Sequence, residues 1–475
     1  MTNRFQVYDR VTELNTYLFT HHKEKFSYKG FFLPDLCLAE LYVAFLNPKA
    51  DSNTMALGFQ SLLKYHIKFA RYRSLRPVDA RDKVIFFPTD ITHLRQILPI
   101  AKELAEIGHS PLFVTTKATL VEKIKKENFA VRLIFPALFG PALPLADRGS
   151  IELEWLTEEL WTIFTRSLLS NLPYIVSVID YCTSMCSSRP AFLFVGNDII
   201  RDARTAVTIF KHYSRPTFAI MHGNMTGDNP LHRNLIVDEY FLFGDLYIEE
   251  FDRLGFPKEK LHVVGSPGYD EALREQGIKK DEVLKPLNLN TTLPVVLVAL
   301  SGPGHALGEE EHIAVLQQLF SLIRRLSHAY NFIVKLHTKD KLEYYEPLLS
   351  EGVLNTIVVD AQHLFGKYSI LNWLKISDIL LTGGSSSCLE AMLSKVPAVS
   401  FDPFRKLDSF NFIQSGAVAY CTDLDRLEYN LVDLTGTTGQ RQMLIGKGMA
   451  YIEKLFYQID GNAAKRVVGK LKSYI

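Results

Sequence analysis

The stretch Asp378 to Asp402, DILLTGGSSSCLEAMLSKVPAVSFD, constrains this chain more than any other, because it reads as strand, glycine-serine turn, short helix and second strand. Ile379 to Leu381 form the brief apolar run of a buried parallel strand, and Gly383 and Gly384 let the backbone bend where a side chain would clash. Ser385, Ser386 and Ser387 supply cap-type hydroxyls to a helix beginning there. Such a helix points free N–H groups and the positive end of its dipole beyond the carboxyl end of the strand, which suits an anion. Glu390 follows near the first turn, where a carboxylate can accept two hydroxyls of a ribose or hexose beside a bound phosphate. Val396 to Phe401 returns the chain to the sheet. Taken alone, this is more often an ordinary strand-helix-strand unit with a small-residue turn; the glutamate and the motifs around it favour the phosphate site.

At 475 residues the chain is too long for one core and suits two domains with an appendage. Fifty-three basic against fifty-two acidic residues leave no global field for nucleic acid or for strongly acidic partners. The five cysteines are scattered and odd in number, which fits a reducing cytoplasm; Cys182 and Cys186 read as two buried thiols on one helix face rather than half a zinc site. No charged start leads into an apolar core and cleavage site, and no apolar run is long enough to span a bilayer, so the expected location is cytoplasmic. Within Phe31 to Phe45, Pro34 and Asp35 mark a helix start, and the amphipathic helix that follows is expected to pack on the neighbouring domain; the competing role is peripheral contact with a membrane surface. Arg71 to Arg81 reads as an exposed connector.

From Lys83 onward strands and helices alternate. Val84 to Phe87 is a strand, its loop carries Asp90 and His93, Leu94 to Ile107 is a helix that Pro99 delays or kinks, and Leu112 to Thr115 is the next strand. No GxGxxG fingerprint accompanies this unit, so a dinucleotide site is not supported. Ala191 to Val195, Thr217 to Met221, Phe241 to Phe243 and Leu261 to Val264 each end in a glycine-bearing polar turn. After a polar, turn-rich boundary at Asp281 to Leu293, Val295 to Leu300 opens a second domain with the loop Ser301-Gly302-Pro303-Gly304-His305, and Phe332 to Leu336 ends in His337-Thr338-Lys339-Asp340.

The order VGND, MHGN, FLFGDLYIEEFDRLGF with VVGSPGYD, KLHTKD, and the Asp378 to Asp402 stretch resembles the two-Rossmann GT-B architecture. Within it the chain is most similar to bacterial surface-carbohydrate glycosyltransferases, relatives of the CDP-glycerol glycerophosphotransferases and the UDP-N-acetylglucosamine 2-epimerases. The resemblance runs from about Lys83 to the end. It implies an α/β fold of two Rossmann-like parallel-sheet domains facing across a cleft, divided as a helical extension over 1–80, an acceptor domain over 81–280, a nucleotide-donor domain over 281–440 and closing helices over 441–475 that cross back. It departs from the epimerases, whose basic His-Arg-x-Glu-Asn motif is replaced by Ser301-Gly302-Pro303-Gly304, and from the glycerophosphotransferases, where Thr338 stands for a proline and Cys388-Leu389-Glu390 for an aromatic-acid segment.

The implied activity is transfer of a sugar from a nucleotide-sugar donor to a glycan or lipid-linked acceptor, with a CDP-glycerol-type phosphotransferase or a non-catalytic nucleotide-sugar-binding relative as alternatives. Gly383, Gly384 and Ser385 to Ser387 would hold the diphosphate and Glu390 the ribose, with Gly302, His337 and Lys339 completing the donor site. Asp423-Leu424-Asp425 reads as a helix cap, so no metal or other cofactor is expected. The acceptor hydroxyl needs a base, for which His93, Asp90 and His222 are the candidates; Asp198 also lies at a strand end but reads as a helix cap.

Overall fold

A computed structural model of the chain describes residues 4–47, 64–70, 79–138, 140–223, 229–274, 278–303, 307–337, 340–349, 352–360, 363, 366, 368–406, 412–436 and 439–475. Lys339, Thr338, Gly304, His305 and most of the expected Arg71 to Arg81 connector lie outside these residues. The chain divides into two compact units, one of Met1–Glu271 with Tyr457–Ile475, the other of Ala272–Phe456.

The first unit begins with the helix Arg4–His22, a small hairpin of β1 (Ser27–Tyr28) and β2 (Phe31–Phe32), and the helix Leu38–Leu46. Its sheet has seven parallel strands: β3 (Val84–Phe87), β4 (Pro111–Thr115), β5 (Ala130–Leu133), β6 (Phe192–Val195), β7 (Thr217–Ile220), β8 (Glu239–Leu242) and β9 (Leu261–Val263). Their order is β5-β4-β3-β6-β7-β8-β9. Strands β3, β6 and β7 are buried at every position, as continuous apolar runs must be when helices cover both faces. The chain starts at β3, winds outward to β5 and then returns to β6 on the other side of β3. Consecutive crossovers therefore leave the β3–β6 boundary in opposite directions, and the register Phe87 opposite Val195 sets the two following loops level with one another. Such a reversal point is where an open parallel sheet leaves room for a ligand.

The helix Ile91–Glu106 runs on through Pro99 and starts earlier than its apolar pattern suggests, because Asp90 caps it by accepting from the His93 amide. The sequence reading misses β5, an edge strand of alternating burial, and, beyond the turn that carries the buried Cys182 and Cys186, the length of the helix Glu158–Cys186. The N-terminal helices Arg4–His22 and Leu38–Leu46 pack on each other and, through the second, on Glu158–Cys186.

The second unit holds six parallel strands in the order β12-β11-β10-β13-β14-β15, namely β10 (Val295–Ala299), β11 (Asn331–Lys335), β12 (Thr356–Val359), β13 (Ile379–Thr382), β14 (Ala398–Phe401) and β15 (Ala419–Cys421). The same outward-and-return winding puts its reversal point between β10 and β13, with Ala299 opposite Thr382. The helix Gly439–Leu455 packs on the helix Ser387–Leu393 of this unit. Beyond it, Ala463–Leu471 packs on Ile91–Glu106 of the first unit, where the Ala463 amide donates to Asp270 at 2.9 Å and Arg466 Nε to the Val264 carbonyl at 2.8 Å.

Candidate functional site

The reversal point of the first sheet gathers Thr89, Asp90 and His93 after β3, Gly196 and Asn197 after β6, and His222 after β7. The Asn197 side chain fixes the chemistry of this cluster. Its Oδ1 accepts from the amides of Ile199 at 3.2 Å and Ile200 at 3.3 Å, so its Nδ2 is the atom facing His93 Nε2, at 3.1 Å. An amide nitrogen can only donate, which makes Nε2 the acceptor and puts the proton of His93 on Nδ1, from which it donates to Thr89 Oγ1 at 2.8 Å. His93 is fully buried, and burial together with the neighbouring His222 pushes its pKa down against the pull of Asp90. A Cβ on residue 196 would stand 2.2 Å from His93 Cγ, so only glycine lets the ring lie against β6. The expectation that His93 takes a proton from an acceptor does not fit these surroundings, because no lone pair of its ring is left for a substrate.

His222 is placed differently. Its ring stands edge-on to that of His93, centroids 4.4 Å apart, and its Nδ1 donates to the Gly196 carbonyl at 3.2 Å. A carbonyl only accepts, so the proton sits on Nδ1 and Nε2 carries the lone pair of the neutral ring. Burial lowers the pKa of His222, with Asp90 opposing. Burial likewise disfavours ionisation of Asp90, but the neighbouring imidazoles of His93 and His222 and the hydrogen bonds from Thr92 and the His93 amide outweigh it and hold that carboxyl below its ordinary value. His232, on the loop before β8, adds a third imidazole whose pKa is pushed down to about 4 by burial and by His222. Its Nδ1 is buried with no hydrogen-bond partner among the described residues. Nothing in the local sequence marked His232 or Asn197 for this cluster.

Asp198 is not a helix cap. Its carboxylate accepts from the amides of Ile236 and Val237, tying the approach to β8 to the end of β6. Burial raises its pKa against those bonds.

In the second unit, Gly384 takes a φ of +73° to make the turn after β13. Thr382 Oγ1 then meets Ser385 Oγ at 3.1 Å and Ser387 Oγ at 3.3 Å, and the two serine hydroxyls bond each other. The serines do not act as three equivalent caps. Ser385 Oγ accepts from the Ser387 amide at 3.3 Å, whereas Ser386, the residue before the helix Ser387–Leu393, is exposed and makes no side-chain cap. With a helix only seven residues long, an anion here would meet the turn's own amides and hydroxyls more than a long dipole.

Glu390, only 7% exposed, sits on that helix. Its charge supports the ammonium of Lys335 at the end of β11, whose pKa burial pulls down. Lys335 was not singled out from the sequence, since its period in a strand is that of a half-buried position. Gly302, at a φ of +68°, lies against His337: a Cβ there would be 3.4 Å from His337 Nδ1. The loop carrying His337 is anchored by Asp340, whose amide donates to the His337 carbonyl at 2.9 Å. Asp340 is itself buried between His312 Nε2, at 3.1 Å, and the Tyr345 hydroxyl. The residues expected at the donor site thus all follow β10, β11 and β13, neighbouring strands of one sheet, apart from Lys339, which lies outside the described residues.

Asp423 accepts from the Arg426 amide at 2.8 Å as the cap of the helix Leu424–Thr435. Among the described residues no group of three or more His, Cys, Asp or Glu side chains is arranged to hold a metal ion. Nor is any described helix long and apolar enough to cross a membrane.

No protein-family model and no curated protein matches the sequence. Solved structures do match the fold. The UDP-GlcNAc 2-epimerase from Neisseria meningitidis bound to UDP-GlcNAc is 15% identical with a TM-score of 0.53, covering 82% of this chain and 100% of its own. The UDP-GlcNAc 2-epimerase from Methanocaldococcus jannaschii is 12% identical with a TM-score of 0.54, covering 82% and 99%. A wall teichoic acid polymerase, TagF, is 13% identical with a TM-score of 0.52, covering 88% and 97%. Each match is longer than either unit alone, and at such identities the likeness is one of fold. With two parallel sheets of seven and six strands, each wound outward and back from its first strand, this chain has the two-domain α/β GT-B fold.

Proposed function

We propose that the chain is a nucleotide-sugar-dependent glycosyltransferase that acts on a glycan or lipid-linked acceptor in surface-polysaccharide synthesis, without a metal. The observation that carries this reading is His222, whose donation to the Gly196 carbonyl leaves Nε2 with its lone pair at the reversal point of the first sheet, within the electrostatic reach of Asp90. Nε2 of His222 takes the proton of the acceptor hydroxyl, and the oxygen attacks the anomeric carbon of the donor. The bond from that carbon to the diphosphate breaks, and the diphosphate leaves with the electron pair. Amides and hydroxyls of Gly384 to Ser387, with His337 and Lys335, meet the developing charge, while Glu390 holds the ribose. His93 and Asn197 form the floor beneath His222, and Asp90 stabilises the imidazolium that results.

Nucleotide and nucleotide-sugar binding by proteins that share the fold supports the donor half of this reading, since the Neisseria meningitidis epimerase was solved with UDP-GlcNAc and MnaA from S. aureus with UDP. A thermal-shift screen of UDP-, GDP-, CDP- and CMP-linked sugars and CDP-glycerol tests it, because a ligand that binds only the folded state raises the melting temperature. Stabilisation by a nucleotide sugar is the expected result. A response to CDP-glycerol alone would replace the glycosyltransferase with a phosphotransferase, and conversion of UDP-GlcNAc to its 2-epimer without any acceptor would replace it with an epimerase.

A further inference from the structure

The carboxyl edge of the first sheet also carries loop 134–146, which leaves β5 with the sequence IFPALFGPALPLA. None of its thirteen side chains can donate or accept a hydrogen bond. Its described residues, all but Phe139, form no helix or strand. We propose that this loop, with Lys64, Lys68 and Lys117 beside it, is the surface on which the chain docks to a lipid bilayer rich in anionic headgroups. Such docking does not depend on the reaction proposed above.

Long irregular loops in a compact domain are uncommon unless they bind something. This one is tied to the fold at its first half: the Ile134 amide donates to the Thr115 carbonyl at 2.8 Å and the Ala137 amide to the Pro173 carbonyl at 2.8 Å. A Cβ on residue 140 would stand 3.0 Å from Leu172 Cβ, so the chain there lies close against the helix Glu158–Cys186. Leu138 is nevertheless 36% exposed, and Gly140, Ala142 and Pro144 are exposed as well. An exposed apolar run of this kind marks contact with a protein or a membrane.

Lipid is favoured by what the run lacks and by what surrounds it. A protein interface carries a polar rim and about one hydrogen bond per 100–200 Å², which no side chain of the loop can supply. Beside the loop, the described segment 64–70 is held by His66 Nε2, which donates to the Pro136 carbonyl at 2.7 Å, and by the Tyr65 hydroxyl, which donates to the Thr116 carbonyl at 3.0 Å. That places Lys64, Lys68 and Lys117 around the apolar run, all exposed and without an ion pair among the described residues. Ile67, between the first two, is 70% exposed. The helix Leu38–Leu46, the competing candidate for membrane contact, buries Leu38, Leu41 and Phe45 instead.

The backbone sets the depth. Unpaired N–H groups are costly in hydrocarbon; Pro136, Pro141 and Pro144 have none, and the Ile134 and Ala137 amides are bonded. The other amides confine the loop to the headgroup and upper acyl region, about 5–10 Å deep. Strand β5 lies four places from β7 and ends on the same edge, about 19 Å away at the usual strand spacing. The histidine cluster is thereby left beside the docked loop rather than under it.

Co-sedimentation of the full chain with vesicles of phosphatidylcholine, and with vesicles of an equal mixture of phosphatidylcholine and phosphatidylglycerol, tests the proposal. Three lysines should make binding to the mixed vesicles about a hundredfold tighter than to the neutral ones, and Lys64→Gln with Lys68→Gln should cut that preference by about tenfold or more. Leu138→Glu with Ala142→Glu should weaken binding tenfold or more with the melting temperature unchanged. Should that pair fail to fold, Leu138→Cys carrying an environment-sensitive dye decides, since the five native cysteines are buried; its emission should move to the blue on the mixed vesicles, and unchanged emission would overturn the dock. No vesicle binding, equal binding to both compositions, or binding that the folded glutamate variant keeps would overturn it too. Self-association that the loop variant abolishes, in a chain that ignores vesicles, would give the surface to a second copy instead. No nucleotide is present in these measurements, so failure of the dock and failure of the transferase reading are distinguishable.

Discussion

Asn197 donates its side-chain amide to Nε2 of His93 at 3.1 Å, and that contact distinguishes His93 from His222, the neighbour whose Nε2 makes no hydrogen bond among the described residues. Because two backbone amides occupy Asn197 Oδ1, the donation cannot be reversed by flipping the side chain. His93 is thereby locked neutral with both nitrogens engaged, while His222, held by a carbonyl at Nδ1, keeps Nε2 for chemistry.

The first prediction separates these roles. His222→Gln should lower turnover about a hundredfold or more with donor affinity nearly intact, as loss of a general base does. His93→Ala should instead be seen in urea unfolding, since it leaves the Asn197 amide buried without its acceptor, at a cost of about 1–3 kcal/mol. A His222→Gln variant with full turnover would remove it as the base.

The pH profile of kcat/KM should rise to a plateau as His222 loses its proton. An unperturbed histidine titrates near about pH 6.5. Burial lowers the pKa of His222, so the acid limb should have its inflection below that value. An inflection above it would assign the limb to another group.

Stability should fall in acid through His232. Unfolded, this ring takes up a proton near pH 6.5, whereas in the folded protein burial and His222 keep it neutral down to about 4. Above pH 6.5 neither state is protonated and the fold keeps its full stability. Between pH 6.5 and 4 only the unfolded state binds the proton, so stability is lost at about 1.4 kcal/mol per pH unit, and below 4 the loss levels off. His232→Gln should remove one proton's share of that slope and leave the shares of His93 and His222, and an unchanged slope would clear His232.

Glu390→Gln keeps the size of the side chain but removes the charge that strengthens bonds to ribose hydroxyls, by roughly 1.5–3 kcal/mol. Donor affinity measured by calorimetry should drop about tenfold or more. Unchanged affinity would take Glu390 out of the donor site.

Transfer should survive exhaustive chelation. Asp423 uses its carboxylate on the Arg426 amide, so Asp423→Ala should cost about 1 kcal/mol of stability and leave nucleotide binding as it was. Activity that disappears on chelation and returns with magnesium or manganese would contradict the metal-free mechanism.

The alternation of apolar runs and glycine-bearing turns was enough to locate β3, β6, β7, β10, β11 and β13, because a strand buried on both faces leaves a continuous local pattern. The helix cap at Asp423 and the buried pair Cys182 and Cys186 were legible for the same reason, since capping and helical spacing are relations between near neighbours. The helix Glu158–Cys186, with Pro173 in its interior, and the edge strand β5 were not, one carrying a breaker and the other too little apolar content. What only the tertiary structure decided is which polar residues meet. Strand order sets Asp90, Asn197 and His222 side by side from positions far apart in sequence, and hydrogen bonds across strands then choose the tautomer of each imidazole. A sequence shows that a histidine follows a strand; whether its ring nitrogens face an amide, a carbonyl or a substrate depends on neighbours that only folding brings within 3 Å or so, the reach of a hydrogen bond.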